Sequence, residues 1–273
     1  RRRALLGAAA LTSVAARPGM AQSSPGPRLS VRVEPLFPGL SLPAQMDRVA
    51  AAGWRVDLQS RGSFDALGSL LRGDCEVAGF HVADGPLGSL MARRYAEGLA
   101  GSDVRLLGLA RRRQGLIVAK GNPRRIRAVE DLARKGMRIV NRQRGSGTRA
   151  LFEFLLTDAG VDRDALSGYD SEEITHSAVA ALVAGRQADA GFGLEAAAAR
   201  FGLGFVPVAS ERYFLAVDGA GPAREGVQAL LDEARDPGFH DAIDALPGYR
   251  ALRAATPCAA ATALAVPENA GTL

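Results

Sequence analysis

The chain has 273 residues, 47% hydrophobic and 23% charged. That balance belongs to a globular protein long enough for two small lobes with a core each, and it excludes a disordered or fibrous chain. Much of the formal net charge of +5 sits at one end: Arg1, Arg2, Arg3 and Arg17 precede every acid, and without them the body is nearly neutral, which argues against the broad basic surface of a nucleic-acid binder.

Those arginines flank the apolar run 4–16, which ends at Arg17-Pro18-Gly19 and the small residues Gly19-Met20-Ala21. This is the order of a secretory signal cleaved after Ala21, and the run is too short to span a bilayer as a helix. The paired arginines also resemble a twin-arginine signal. Residues 1–21 are therefore expected to be a signal peptide, and 22–29, with its Ser-Ser-Pro-Gly-Pro stretch, a linker.

The body opens with a strand at 31–33 that runs into Glu34, Pro35, Leu36 and Phe37. A strand is predicted at 55–59, then a helix from Gly62-Ser63 with Phe64, Leu67, Leu70 and Leu71 on one face, ended by Gly73. Strands follow at 77–80, 104–109 and 116–119, then a short helix at 126–132 and a strand at 137–141. Ser146 or Thr148 caps the next helix, whose Leu151, Phe152, Leu155 and Leu156 form an apolar stripe that Gly160 stops. Next come a helix at 177–184, a strand at 188–192, a helix at 195–201, strands at 205–208 and 213–217, and helices at 223–234 and 239–245. Beyond about residue 254 the Ala/Thr/Pro-rich chain is expected to fray. Such alternation predicts an α/β architecture with mainly parallel sheets.

A short echo runs through the pattern. Leu71-Arg72-Gly73 precedes Ala78-Gly79-Phe80 at the offset at which Val183-Ala184-Gly185 precedes Ala190-Gly191-Phe192. Two similar lobes explain it, and so does an Ala/Gly-rich composition. Cys75 and Cys258 fit either one disulfide in an oxidising compartment or two unpaired thiols.

The chemistry concentrates at residues 141–149, Asn-Arg-Gln-Arg-Gly-Ser-Gly-Thr-Arg, which follow an apolar strand and open an amphipathic helix. A helix start leaves N–H groups unpaired and carries partial positive charge. Glycines let an anion approach the backbone, and hydroxyls add donors, so the turn is a ready anion site to which Arg144 or Arg149 adds charge. A helix cap with solvated arginines is the structural alternative. Gly62-Ser63 and Glu173-Ile174-Thr175-His176-Ser177 are two further helix entrances, and His81 follows a strand end, where α/β folds place ligands. The phosphate-loop pattern fails for want of Lys-Ser/Thr after the glycines. The dinucleotide pattern matches at Gly145, Gly147 and Ala150 but lacks the acid that would bind ribose. No nucleophile elbow, His-Glu-x-x-His or acid-rich cluster is present, so neither an enzyme nor a metal site is expected.

Residues 141–149 resemble the molybdate-binding domain family of the periplasmic-binding-protein (type II) superfamily. Segments 73–82, 110–123, 168–181 and 188–194, then Glu211-Arg212-Tyr213 and Leu246-Pro247-Gly248-Tyr249, resemble it in the same order, so that the match runs from Arg55 to Tyr249. The resemblance implies a two-lobed α/β fold of the type II periplasmic-binding-protein kind, with the ligand cleft between the lobes. Lobe 1 would be 30–110 and 209–255, lobe 2 would be 111–208, and 256–273 would be a flexible tail. The crossovers would fall near 110–114 and 208–213. Carried over, Ser63, Ser146, Gly147, Thr148 and Thr175 would donate to an oxyanion, Arg144 and His176 would be close polar or charged partners, and His81 would line the cleft.

The function implied is that of an exported, monomeric, periplasmic solute-binding protein. It would hold molybdate, tungstate or a related small anion, without a cofactor and without nucleic acid, for the membrane permease of an ABC-type transporter. The family often carries a DNA-binding helix-turn-helix; none is visible here, and an export signal stands in its place. A ligand-sensing domain of the same fold that signals to a protein partner is the alternative, and an enzyme acting on a nucleotide or phosphate ester ranks below both. One departure stands out: Glu34 and the apolar loop after it replace the hydroxyl-bearing loop with which family members open.

Overall fold

The computed structural model describes residues 27–33, 49, 53–218, 224–254 and 256–265. The signal peptide expected at 1–21, the start of the linker, the loop holding Glu34 and Phe37, and residues 266–273 of the expected tail lie outside the described residues.

Strand β1 (Arg28–Val33) pairs in parallel with β2 (Arg55–Ser60) and β3 (Val77–Ala83). Arg28 and Leu29, expected in the linker, already belong to β1, where Leu29 is fully buried. Helix α1 (Ser63–Leu71) packs on β3 by Ala66, Leu67 and Leu70, while Phe64 and Leu71, expected on the same face, are exposed. Helix α2 (Gly85–Gly98) has no counterpart in the sequence reading. Gly85, Pro86 and Gly88 look like loop punctuation, but the proline sits in the first turn, where its missing N–H costs nothing. Gly88 lies so close to the Ala83 carbonyl that a Cβ would stand 1.6 Å from its oxygen.

Two 14-residue strands, β4 (Arg105–Val118) and β8 (Gly204–Val217), run antiparallel through the middle of the molecule, from Arg105↔Val217 to Val118↔Gly204. Each is split into two short strands in the sequence reading, because a polar stretch interrupts the apolar pattern. Here those stretches are continuous strand with irregularities at Gly108/Ala110 and Gln114/Gly115, and they are the two crossovers.

In the second lobe, β5 (Ile139–Arg142) lies parallel to β6 (Glu172–Glu173) and to β7 (Ala190–Leu194). Helices α3 (Gly147–Asp158), α4 (His176–Ala184) and α5 (Glu195–Arg200) flank them. The strand order is β2-β1-β3-β8-β4-β7-β5-β6. Parallel pairs occupy both ends, but β3·β8, β4·β8 and β4·β7 are antiparallel, which corrects the expectation of mainly parallel sheets. The crossovers impose this: chain that enters one lobe on β4 returns on β8 in the opposite sense.

Helices α6 (Arg224–Arg235) and α7 (Pro237–Asp244) and strand β9 (Tyr249–Ala251) return to the first lobe. Within the described residues 256–265 the expected fraying is not seen. Strand β10 (Cys258–Ala259) pairs with β4, helix α8 (Ala260–Ala263) follows, and Leu264 is buried. Cys75 and Cys258 are both free thiols, and burial pushes the Cys75 thiol up to about 11.

One apolar cluster runs from Leu70, Phe80 and Tyr95 through Leu106 and Leu116 to Phe152 and Phe192. Phe80 stacks on Phe214 at 5.5 Å in the first lobe, and Phe152 on Phe192 at 5.1 Å in the second. Each such side chain, fully buried, contributes about 1.5–3 kcal/mol. The two Ala-Gly-Phe repeats are equivalent in place: β3 abuts one crossover strand and β7 the other.

Candidate functional site

The crossovers carry charge where their neighbours are apolar. Arg112 of β4 and Glu211 of β8 are cross-strand partners, both fully buried, and Arg112 Nε donates to Glu211 Oε1. Gln114, two residues along the same face of β4, donates from Nε2 to Glu211 Oε2. The Arg112 guanidinium lies 5.0 Å from the Tyr213 ring centre. Burial pushes the nearby Tyr249 phenol up to about 12, against the pull of Arg112. A buried ion pair of this kind is sound only when hydrogen bonds complete it, and here they do.

His81, in β3, sits directly above this pair. Its Nδ1 is 3.3 Å from Arg112 Nη2 and 3.5 Å from Ser63 Oγ, and its Nε2 is 3.4 Å from Glu211 Oε2. A guanidinium can only donate, so Nδ1 is the acceptor and the proton lies on Nε2, toward the carboxylate. The second lobe closes over the ring: a Cβ at Gly147 would stand 2.2 Å from His81 Nε2.

Gly147 opens α3. The Ser146 hydroxyl accepts from Arg149 N at 3.1 Å and caps the helix, and Ala150 N donates to Ser146 O. Helix geometry leaves the N–H groups of Gly147 and Thr148 without intrahelical partners. The Thr148 hydroxyl is fully buried and has no hydrogen-bond partner among the described residues. The same is true of both ring nitrogens of His176, at the first position of α4. Burial holds the His176 ring well below its ordinary value, with Arg142, Arg112 and His81 adding to the effect. Arg142, buried at the end of β5, donates to Gln143 Oε1 and to Ile174 O.

Of the expected site residues, Ser63, His81, Ser146, Gly147, Thr148 and His176 are therefore buried between or beside the two lobes. Thr175 is exposed and spends its hydroxyl accepting from Ala178 N as the cap of α4. Arg144 points outward: its side chain is 75% exposed and pairs with Asp170 and Glu172. Arg149 is also structural, stacked 4.2 Å over Tyr169 and paired with Glu153. The residues that sequence reasoning misses are Arg112, Gln114, Glu211 and Arg142. A signal for three of them is present, since the crossovers expected near 110–114 and 208–213 contain Arg112 and Gln114 in the one and Glu211 in the other.

The site thus combines three helix starts, two imidazoles and a buried guanidinium with a sealed ion pair as its floor. Such an arrangement suits a small anion. A family model for a PBP superfamily domain matches residues 46–235. The chain belongs to the PBP superfamily. A curated relative, the uncharacterized protein YvgK of Bacillus subtilis (strain 168), is 35% identical over 157 residues, 58% of this chain. The chain spans about half, 51%, of that relative's length. Among solved structures, the effector-binding domain of QuiR in complex with shikimate superposes with a TM-score of 0.54 at 12% identity, covering 77% of this chain and 95% of that one. The sulfate-bound regulatory domain of the OxyR2 E204G mutant from Vibrio vulnificus gives 0.51 at 11% over 79% and 98%. The regulatory domain of Synechocystis PCC6803 CcmR in complex with 2-PG gives 0.52 at 15% over 76% and 95%. These likenesses show the fold: the PBP-superfamily plan of two α/β lobes joined by two crossovers.

Proposed function

We propose that this PBP-superfamily protein is a receptor that binds a small oxyanion between its lobes. The observation that carries the reading is the pair of orphaned polar groups at two helix starts, the Thr148 hydroxyl and the His176 ring, both buried and both without a partner among the described residues. An unsatisfied buried polar group costs about 1–3 kcal/mol, and a bound anion repays it at both positions. Neutral His176 donates one N–H, Thr148 donates its hydroxyl, and the Gly147 and Thr148 N–H groups complete the cradle.

The consequence of binding is read as sensing. The three solved structures of the same fold named above are described as effector-binding or regulatory domains, and they hold shikimate, sulfate and 2-PG. Occupancy would be reported to a protein partner or to a fused effector, and such regulators leave room for nucleic acid in the output. Delivery to a membrane permease is the second reading; the sequence resemblance to the molybdate-binding family supports it, as does the export-type segment at 1–21. Calorimetric titration with molybdate, tungstate, sulfate, phosphate and small carboxylates tests the shared premise. Saturable one-to-one binding of at least one anion is expected, and heat from none of them would overturn the reading.

A further inference from the structure

Gln114 is fully buried at the crossover, and its amide has only one orientation open to it. Glu211 Oε2, which faces it, is a carboxylate oxygen that accepts and cannot donate. The amide nitrogen must therefore point at Glu211, and Oε1 is turned away. That Oε1 is buried and has no donor among the described residues. The amide lies close to the anion cradle by a short chain of contacts: Glu211 Oε2 also meets His81 Nε2 at 3.4 Å, and the His81 ring lies against Gly147.

The orphaned groups of this cleft thus differ in kind. Thr148 and His176 can donate, as an oxyanion requires, whereas Gln114 Oε1 can only accept. Molybdate, tungstate and sulfate are acceptors on every oxygen at neutral pH and leave Gln114 unsatisfied. We infer that the ligand is a small anion carrying its own hydroxyl or protonated oxygen, and that Gln114 Oε1 receives that proton. Hydrogenphosphate, a hydroxylated carboxylate and a hydroxylated phosphate ester share this chemistry. The inference rests on the oxyanion reading of the cleft and narrows its ligand class, away from molybdate and tungstate.

The test uses two matched pairs that differ in the O–H group: hydrogenphosphate against sulfate at about pH 8, and glycolate against acetate. Titrated calorimetrically into the full chain, the donor-bearing member of at least one pair is expected to bind at least about tenfold more tightly. Gln114→Met should narrow that ratio to about twofold or less. If the variant does not fold, the wild-type ratios decide alone. Sulfate and acetate binding as tightly as their partners would overturn the inference and leave the oxyanion cleft standing. Binding of none of the four would overturn the inference, and the oxyanion reading with it if molybdate and tungstate also give no heat. A ratio that Gln114→Met leaves intact in a folded protein would also overturn the role given to Gln114.

Discussion

Gly147 of one lobe rests on the His81 ring of the other, so closely that residue 147 has no room for a side chain: a Cβ would stand 2.2 Å from Nε2. This contact joins the helix start proposed to cradle the anion to strand β3 of the first lobe. It makes the approach of the lobes depend on a missing methyl group.

Gly147→Ala should therefore hold the lobes apart. Overpacking of this kind costs about 1–3 kcal/mol. Ligand affinity is expected to fall by roughly tenfold to a hundredfold, measured by calorimetry, while each lobe keeps its secondary structure by circular dichroism. Unchanged affinity would place the ligand elsewhere.

Arg112 and Glu211 should behave as one unit. Replacing either alone, by Arg112→Met or Glu211→Gln, leaves an uncompensated group in a fully buried site and should destabilise the protein by about 3–5 kcal/mol. The double variant Arg112→Met/Glu211→Gln should lose less than the sum of the singles, because it removes both charges from the interior. Urea unfolding of the four proteins checks this, and strictly additive losses would mean the two groups do not interact.

His176 fixes an acid limit. Its folded-state ring is held well below its ordinary value of 6.5, so below about pH 6.5 the unfolded chain binds a proton that the folded chain refuses. Stability is unaffected above that point and falls as the pH drops, by up to about 1.4 kcal/mol per unit. His176→Gln should flatten this slope between about pH 6.5 and 5. An identical slope in the variant would mean that other groups account for it.

The two thiols should differ in reactivity. Cys75 is buried with its thiol pushed up to about 11, whereas Cys258 is only half-buried. At about pH 8 a chromogenic disulfide reagent should label Cys258 in the native protein and reach Cys75 only after denaturation. Fast labelling of both would contradict the packing described for β3 and α1.

These same residues show how far the sequence can be read. Helix starts at Ser63, Ser146 and His176 are legible because capping residues and apolar stripes are local signals. Helix α2 is hidden because its glycines and proline serve packing and the first turn rather than a loop. The crossovers can be located, but Arg112, Gln114 and Glu211 look like surface charge, since only the pairing of β4 with β8 seals them inside. Arg144 misleads for the complementary reason. Arg142 is the last residue of β5 and lies inside, whereas Arg144, in the turn beyond it, reaches outward to Asp170 and Glu172.

Thr148→Val tests the central claim most directly. It replaces a hydroxyl that has no partner among the described residues with a methyl group of nearly equal size. This relieves a burial cost of about 1–3 kcal/mol, so the ligand-free variant should be at least as stable as the wild type. The same substitution removes a proposed donor to the anion, and calorimetric titration should show at least about tenfold weaker binding. A folded Thr148→Val protein that binds the anion as tightly as the wild type would contradict the account.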